Sequence, residues 1–218
     1  MDLSGLKTDA AGLVAVVVQD RHGGEVRMVG YANEEAVRRT LETKSAHFYS
    51  RSRQALWRKG ETSGNFLLVS EVWVDCDADA LIYLVDPHGP TCHTGERSCF
   101  FRRLDTDDYG HAAPTLAKLG EVLESRRRSV ADKSYTKSLL EKGDAKIAQK
   151  IREEGGELAT ALNSESDDRV VSESADVLYH VIVGLMSRGC TLRDLEQALA
   201  ERFGVSGYEE KAARKAVP

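Results

Sequence analysis

The 218-residue sequence lacks long hydrophobic runs and any excess of positive charge. Its longest apolar run, residues 13–18, is far too short to cross a bilayer. The opening segment MDLSGLKTDAAG has no basic stretch followed by an apolar one, so we expect no secretory signal. With 30 basic and 35 acidic residues the net charge is -5, which removes the simplest reason for binding nucleic acid or an anionic membrane. We therefore expect a soluble, cytoplasmic protein with neither of these partners.

Cysteine is also scarce, with four residues in the whole chain. In the absence of a secretory signal, four cysteines are better explained as metal ligands, reactive thiols or core residues than as a disulfide framework. Their positions therefore carry more information than their number.

Two kinds of hydrophobic periodicity divide the chain. In the first half, short apolar runs alternate with turn-like segments, as is typical of strands. A helix is predicted at 34–41, with Asn33 as its N-cap. The pattern predicts a β-rich α+β domain over residues 1–106. The expected strand segments are 13–20, 25–32, 65–75, 80–86 and 98–104.

The second half has helical spacing throughout. The polar stretch DTDDYGHAAP has no apolar period, and within it residues 107–113 are predicted to be a linker. Gly143 and Gly189 mark breaks between helices, and Thr191 is a predicted N-cap. Residues 114–218 are therefore predicted to form an all-α domain. The expected helical segments are 114–128, 134–142, 144–163, 168–187 and 191–203.

The densest chemistry of the first half lies in the segments VDCDADAL and GPTCHTGERSCFF. They contain Cys76, Cys92, Cys99 and His93. Three thiolates can bind zinc and leave a fourth position for water, as a hydrolytic zinc site requires, and His93 would accept or relay a proton. From residue types alone, a structural zinc site closed by a partner stays equally open, as do buried cysteines beside a solvated acidic loop.

Three aspartates, Asp75, Asp77 and Asp79, surround the first of these cysteines. If the segment is extended, their carboxylates share one side and Cys76 points to the other. Hard carboxylate oxygens suit magnesium, whereas soft thiolates suit zinc. Two separate metal sites are therefore predicted in the first half.

Three ordered motifs, WRKGETSGN at 57–65, DCDADA at 75–80 and GPTCHTGERSCF at 89–100, resemble the signature of phosphoribosyl-AMP cyclohydrolases. The resemblance covers residues 13–104. It implies a homodimer in which Cys76 crosses the interface to join Cys92 and Cys99 at zinc. It also implies magnesium at the three aspartates, and attack of water on C6 of the adenine ring with cleavage of the N1–C6 bond. The residues implied to bind the nucleotide are Trp57, Arg58, Lys59, Gly60, Glu61, Thr62, Ser63 and Gly64.

The resemblance also separates this chain from the zinc deaminases of nucleobases, whose chemistry at the ring is similar. Their H-x-E and P-C-x-x-C pattern is absent here. A base deaminase is therefore disfavoured.

Acidic residues mark two helical segments of the second half. IREEGGELATAL contains Glu153, Glu154 and Glu157, and SESADVLYHVI contains Glu173 and Asp176. The i,i+4 and i,i+3 spacings allow two antiparallel helices to direct carboxylates at one magnesium cluster, with Glu154 to one side of the row. A solvated acidic face is the open alternative for a glutamate-rich helix.

Together with the preceding SYTKSLLEKGDAKIAQK, this order of motifs resembles phosphoribosyl-ATP pyrophosphohydrolases, a MazG-like helical family that uses magnesium and water on nucleotide phosphates. The resemblance covers residues 114–204. It implies that the five acidic residues hold magnesium and that Glu154 is catalytic. It further implies that Lys146 and Lys150 steady the phosphates, although two exposed helix lysines would look the same.

The helical half departs from the family pattern at two places. Arg152 stands where the family commonly has glycine, and Gly155-Gly156 stand where small helix formers are usual. Each interior glycine costs roughly 1 kcal/mol of helix propensity. A kink or a weakened site is the expectation that follows.

Taken together, the resemblances imply a bifunctional hydrolase of small phosphoribosyl nucleotides that uses Zn²⁺ and Mg²⁺. It would release pyrophosphate from phosphoribosyl-ATP and then open the ring of phosphoribosyl-AMP, the second and third steps of histidine biosynthesis. Three alternatives stay open. They are a cyclohydrolase whose helical half only dimerises or binds nucleotide, a general nucleotide-pyrophosphate hydrolase, and a zinc-stabilised interaction module without turnover.

Overall fold

The computed structural model describes residues 3–106, 109–129 and 134–203. The chain divides into two compact units, Met1–Pro114 and Thr115–Pro218. The first unit is β-rich and the second is helical. This division confirms the change of periodicity seen along the sequence.

A four-stranded sheet forms the centre of the first unit. Its strand order is β2-β1-β6-β5, with β1 antiparallel to β2 and parallel to β6, and β5 antiparallel to β6. Successive side chains alternate between the two faces of a strand, and one face of β1 is fully buried through Val14, Val16 and Val18. The strands are β1 Val14–Asp20, β2 Val26–Ala32, β5 Leu67–Val74 and β6 Ala80–Pro87.

Helix α1 (Glu34–Thr43) and a hairpin of β3 (His47–Ser50) and β4 (Ala55–Arg58) cover the buried face of the sheet. The fully buried Phe48 packs its ring 5.1 Å from that of Trp57 and 6.0 Å from that of Tyr83, centroid to centroid. Asn33 caps α1 as predicted, since its Oδ1 accepts a hydrogen bond from the backbone N–H of Ala36 at 2.9 Å.

The predicted strand at 98–104 is wrong. The only strand-like pairing in this segment, among the described residues, is an isolated bridge between Arg102 and Tyr109. Ser98 Oγ donates to the carbonyl of Val26 at 2.7 Å and accepts from the N–H of Phe100 at 3.0 Å. A side-chain hydroxyl thus makes the bonds that a neighbouring strand would otherwise make.

The predicted linker, 107–113, is described only in part, because residues 107 and 108 lie outside the described residues. In the described part, the N–H groups of Gly110 and Ala112 donate to the carbonyls of Phe101 and Phe100 at 2.9 and 3.1 Å. This stretch therefore lies against the segment that precedes it.

Five helices make up the described part of the second unit: α2 Thr115–Arg128, α3 Tyr135–Lys142, α4 Asp144–Ser164, α5 Asp167–Ser187 and α6 Leu192–Ala200. The most extensive packing is between α4 and α5. Thr191 caps α6 through a capping box with Asp194, and α6 ends at Ala200 rather than at 203. Helix α4 runs unbroken through Gly155-Gly156.

Helix α5 is the one helix of the described residues whose length and composition would allow it to cross a membrane. Its Glu173 and His180 are buried, as are its Ile182 and Val183. Length and composition alone are weak evidence that α5 spans a membrane.

Candidate functional site

Two of the three predicted zinc ligands lie together in the first unit. The thiols of Cys92, which is buried, and Cys99, which is exposed, are hydrogen-bonded to each other. Exposed His93 has its Nδ1 3.9 Å from Cys92 Sγ. Lys59, from the WRKGETSG segment, is close enough to stabilise both thiolates electrostatically.

The two thiols differ in acidity. Burial raises the pKa of Cys92, but hydrogen bonds from Thr94, Cys99 and His93 outweigh it and leave the pKa below its ordinary value. Burial raises the pKa of Cys99 to about 11, and the neighbouring Cys92 contributes to that rise. Burial also lowers the pKa of Lys59, against the effect of the two thiolates. Cys92 is therefore the more acidic of the two thiols.

The loop that carries these cysteines is anchored by a buried ion pair. Arg27 Nη1 lies 2.9 Å from Glu25 Oε2, and Arg97 Nε lies 2.9 Å from the same oxygen. The carbonyl of Arg27 also accepts from the N–H of Cys99 at 2.8 Å. Leaving one buried charge without its partner costs roughly 3–5 kcal/mol, so this network holds the loop at one position. Sequence reasoning missed it, although Glu25 and Arg27 stand out as charges in the apolar segment EVRMVGYA.

The aspartates come together, but not in the way first expected. Residues 75–79 form the turn between β5 and β6, with Ala78 at φ 65°, and are not extended. Asp75 Oδ1 accepts from the N–H groups of Asp79 and Ala80 at 2.9 and 3.1 Å. Carboxylate oxygens of Asp75, Asp77 and Asp79 lie within 4.8 Å of one another. The idea of one shared strand face is wrong, and the turn itself gathers the carboxylates.

This proximity changes the acidity of the aspartates. Hydrogen bonds from Ala80 and Asp79 lower the pKa of Asp75, whereas the charge of Asp77 raises the pKa of Asp79. Like charges held this close favour either a proton or a cation between them. The turn therefore suits a hard cation such as a divalent metal ion.

Cys76 lies in the same turn and is exposed. Among the described residues, the groups of three ligand atoms within 4.8 Å of one another contain no cysteine. Within one chain, the third thiol is therefore not brought to the Cys92–Cys99 pair.

The WRKGETSG segment spans the end of β4 and the turn after it. Gly60 has φ 91°, and a Cβ there would lie 2.6 Å from the carbonyl carbon of Asn65, so the turn requires glycine at this position. Trp57 is half-buried against Phe48, and the Arg58 guanidinium lies 4.6 Å above the ring of Phe66. The exposed members of the segment are Arg58, Glu61, Thr62, Ser63 and Gly64.

In the second unit, three of the five predicted acidic residues converge between α4 and α5. Carboxylate oxygens of Glu154, Glu157 and Glu173 lie within 4.8 Å of one another. Glu154 is only 8% exposed and Glu173 only 3%. Burial raises the pKa of Glu173, and the charges of Glu157, Asp176 and Glu154 raise it further. Glu153 and Asp176 lie outside this group of three.

Cations from the same helices balance these carboxylates. Lys150 Nζ lies 2.7 Å from Glu154 Oε1 and 2.9 Å from Glu153 Oε1, and these contacts raise the pKa of Lys150. Arg169 Nη2 lies 2.5 Å from Glu173 Oε1. Sequence reasoning missed Arg169, although it precedes Glu173 by one helical turn.

The other predicted lysine, Lys146, donates from Nζ to Gln149 at 3.1 Å instead of binding an acidic ligand. It is thus one turn away from the acidic group.

A buried histidine lies beside this group and was also missed. His180 Nδ1 bonds to the carbonyl of Asp176 at 2.8 Å and lies 4.0 Å from Glu154 Oε1, while Nε2 bonds to the hydroxyl of Tyr135 at 3.2 Å. Because a carbonyl only accepts, Nδ1 carries a proton. The two hydrogen bonds fix the ring next to Glu154.

The two units thus hold different donor sets for metal ions: a soft thiol pair and a separate carboxylate turn in the first, and a carboxylate cluster between two helices in the second. Both sets can bind a metal that activates water or phosphate. This fold and these donor sets suit a two-part hydrolase that uses metal ions.

Two family models match the chain, phosphoribosyl-AMP cyclohydrolase over residues 28–101 and phosphoribosyl-ATP pyrophosphohydrolase over residues 116–203. A relative from Thermus thermophilus is 45% identical over 204 residues, covering 93% of this chain and 94% of its own. One from Wolinella succinogenes is 40% identical over 223 residues, covering 98% and 97%. Both carry the name histidine biosynthesis bifunctional protein HisIE. The chain belongs to this bifunctional family.

A chloroplastic relative of the same name from Arabidopsis thaliana is 42% identical over 225 residues, covering 97% of this chain and 80% of its own. Because the relatives span both halves, the chain is a bifunctional hydrolase with cyclohydrolase and pyrophosphohydrolase parts. A helical half without activity is not favoured.

Proposed function

We propose that this chain carries out its two hydrolytic steps at separate metal centres built from the residues described above. The helical unit removes pyrophosphate from phosphoribosyl-ATP, and the β-rich unit opens the adenine ring of the resulting phosphoribosyl-AMP at N1–C6. The observation that carries the proposal is the occurrence, in one chain of a bifunctional family, of a thiol pair beside Lys59 and a carboxylate trio between α4 and α5.

For the ring-opening step, we propose that Cys92 and Cys99 hold zinc together with Cys76 of a second copy. Zinc held by these residues would supply a bound water that is easier to deprotonate than bulk water. His93, whose Nδ1 faces Cys92 Sγ, accepts the proton from the attacking water. Lys59 balances the charge of the thiolates. The WRKGETSG residues 57–64 bind the nucleotide, with Gly60 fixing the shape of their turn.

The shared zinc site is supported by the absence, among the described residues of one chain, of a third thiol beside Cys92 and Cys99. Cys76 is exposed in a different turn from the Cys92–Cys99 pair. Because three protein ligands are usual at a catalytic zinc, a second copy is the natural source of the missing thiol.

An apolar surface that suits such a second copy lies on the outer face of the sheet. The strand registers place Val29, Val17, Ile82 and Trp73 in one row across β2, β1, β6 and β5. Val29, Ile82 and Trp73 are 46%, 39% and 57% exposed. The row ends on β5, whose next residues form the Cys76 turn, so the homodimer we propose would bring that turn to its partner.

Magnesium is the cation we propose for both carboxylate groups. Asp75, Asp77 and Asp79 hold one ion in the first unit, where oxygen ligands alone converge. In the helical unit Glu154, Glu157 and Glu173 form the inner group, and Glu153 and Asp176 complete it around the triphosphate. Lys150, which pairs with Glu153 and Glu154, and Lys146, one turn earlier on the same helix, would steady the phosphates.

Three further expectations, on domain bounds, fold family and compartment, belong to the proposal. The domain bounds are residues 1–106 and 114–218 with a linker at 107–113, and the helical domain is MazG-like. The enzyme acts in the cytoplasm on small phosphoribosyl nucleotides.

Replacing a zinc thiol tests the separation of the two centres. We expect Cys92→Ser or Cys99→Ser to lose bound zinc and at least about a hundred-fold of ring-opening activity, because even second-shell changes cost 10–100-fold. Pyrophosphate release from phosphoribosyl-ATP should stay within about two-fold of wild type, since no thiol lies in the carboxylate trio. Zinc content and both product assays are measured on the same samples.

Cys190→Ser is the matched control, because Cys190 is an exposed cysteine of the helical unit. It should retain zinc and both activities. Parallel loss of both activities in Cys92→Ser with an intact fold would contradict separate centres.

A further inference from the structure

The β3–β4 hairpin carries positive charge that no carboxylate neutralises. Among the described residues, no salt bridge involves Arg51, Arg53, Arg58 or Lys59. Elsewhere in the same unit, Arg38 pairs with glutamates of its own helix. In a chain with a net charge of -5, the exposed Arg51, Arg53 and Arg58 form a local positive patch that attracts anions.

The side chains of Arg51 and Arg53 are exposed, but each stacks on an aromatic ring. The guanidinium of Arg51 lies 3.9 Å from the ring centroid of Tyr31, and that of Arg53 lies 5.8 Å from the ring of Trp57. Stacking of this kind orients a planar guanidinium and leaves its N–H groups at the edge available. Arg53 is thereby directed back along the hairpin toward Trp57.

The tip of the hairpin adds hydroxyl groups. Ser50 Oγ accepts from the backbone N–H and from Nε of Arg53, both at 3.3 Å, and lies 3.4 Å from Ser52 Oγ. Serine hydroxyls and arginine edges together are the donors that bind phosphate monoesters. None of Ser50, Arg51, Ser52 and Arg53 belongs to the WRKGETSG segment.

The hairpin also joins this tip to the thiol pair. Strand β4 runs from Ala55, opposite Ser50 at the tip, to Arg58, which is followed by Lys59 beside Cys92 and Cys99. The length of β4 separates the two ends by about 10 Å, at about 3.3 Å for each residue. A substrate whose ring lies at the thiol pair can therefore extend a phosphorylated arm along the hairpin.

We propose that the β3–β4 hairpin tip, Ser50–Ser52–Arg53 with Arg51, binds one of the two ribose 5′-phosphate groups of phosphoribosyl-AMP. This inference rests on the proposed ring-opening function of the first unit. Phosphoribosyl-AMP carries one phosphate on each side of its adenine ring, so the enzyme needs two anion sites. The WRKGETSG turn supplies one, and the hairpin tip supplies the other.

Neutral replacements at the tip test this site. In Arg51→Gln, Arg53→Gln and the double variant, we expect KM for phosphoribosyl-AMP to rise about ten-fold or more per arginine, because each removes a charge-assisted hydrogen bond. The inhibition constant of inorganic phosphate against ring opening should rise in parallel. We expect kcat to change less, and zinc content and pyrophosphate release to match wild type. Arg53→Lys should fall between wild type and Arg53→Gln, since it keeps charge without the planar fork.

Arg38→Gln and Arg39→Gln are the matched controls, because each removes one positive charge from the surface of the same unit. Both arginines are already paired with glutamates on α1. Their KM values and phosphate inhibition should stay at the wild-type level. A rise in these controls equal to that at the tip would reduce the effect to net charge and overturn the site.

The remaining outcomes also decide the question. Unchanged KM and phosphate inhibition in the double variant, with an active wild type, would overturn the hairpin site and leave the proposed function intact. Loss of zinc together with kcat would assign the arginines a structural role instead. If the wild type does not open the ring, the proposed function fails, and direct calorimetric binding of inorganic phosphate to wild type and the double variant still tests the tip.

Discussion

At the scale of the residue, the carboxylate of Glu154 is central to the proposed chemistry of the helical unit. It is nearly buried, bonded to Lys150 and 4.0 Å from His180 Nδ1, and it shares the metal-ligand group with Glu157 and Glu173. We expect Glu154→Gln to reduce pyrophosphate release at least about a hundred-fold, because it preserves size but removes one charge of the proposed magnesium site. Magnesium titration by calorimetry and the pyrophosphate assay measure the two effects.

Glu141 is an exposed residue of α3. Glu141→Gln makes the same chemical change away from the site and should leave pyrophosphate release at the wild-type level. Ring opening of supplied phosphoribosyl-AMP should continue in both variants. A Glu154→Gln variant with full pyrophosphate release would remove Glu154 from the catalytic group.

The acidic residues also show how much of a metal site can be predicted from the spacing of its ligands in the sequence. The i,i+4 and i,i+3 spacings predicted that Glu153, Glu157, Glu173 and Asp176 would converge with Glu154 to one side, whereas the structure brings Glu154, Glu157 and Glu173 together. Sequence spacing could not show which of the five carboxylates would be buried and converge, because burial depends on the partner helix. Arg169 and His180 were missed for a related reason: each matters through a contact made in three dimensions, to Glu173 and to Tyr135.

Helix α4 shows at the scale of the element how a weak local preference yields to packing. Gly155 and Gly156 lie within an unbroken helix, and a Cβ at either position would meet nothing within 4 Å. We expect Gly155→Ala or Gly156→Ala to increase the free energy of unfolding by about 0.5–1 kcal/mol each, since alanine loses less conformational entropy on folding. Chemical denaturation followed by circular dichroism measures this change.

Gly30 gives the opposite control. A Cβ there would lie 2.6 Å from Cδ1 of the fully buried Phe48. Gly30→Ala should therefore destabilise the β-rich unit by about 1–3 kcal/mol, the usual cost of overpacking a core. Stabilisation by Gly30→Ala, or destabilisation by both α4 substitutions, would contradict these packing assignments.

Elements with clear periodicity were predictable and short ones were not. The apolar runs of β1, β2, β5 and β6 and the five helices of the second unit all appear close to their expected positions. Strands β3 and β4 were not singled out because four residues are too few to show a period. The false strand at 98–104 had the right composition, but the hydroxyl of Ser98 bonds the backbone instead.

At the scale of the whole molecule, the two halves are separate compact units with separate donor sets. Composition and periodicity predicted this division because a β-rich sheet and a helical bundle require different spacing of apolar residues. The convergence of the aspartates could not be derived in the same way. It depends on a turn with Ala78 at positive φ, which alternation along a strand does not anticipate.

The position of Cys76, exposed and apart from Cys92 and Cys99, predicts which pairs of defective alleles can complement each other. Cys76→Ser and Cys92→Ser are each expected to be null for ring opening when present alone. When both alleles are expressed together and the zinc centre is shared as proposed, a mixed pair places both defects in one centre and leaves the other centre fully wild type. Random pairing should restore about a quarter of wild-type activity, since about half of the pairs are mixed and each has one good centre of two. Cys92→Ser with Cys99→Ser should restore none, because those two defects occupy both centres of every mixed pair. A histidine-requiring strain carrying either pair of alleles would therefore distinguish a shared centre from a self-contained one by growth alone.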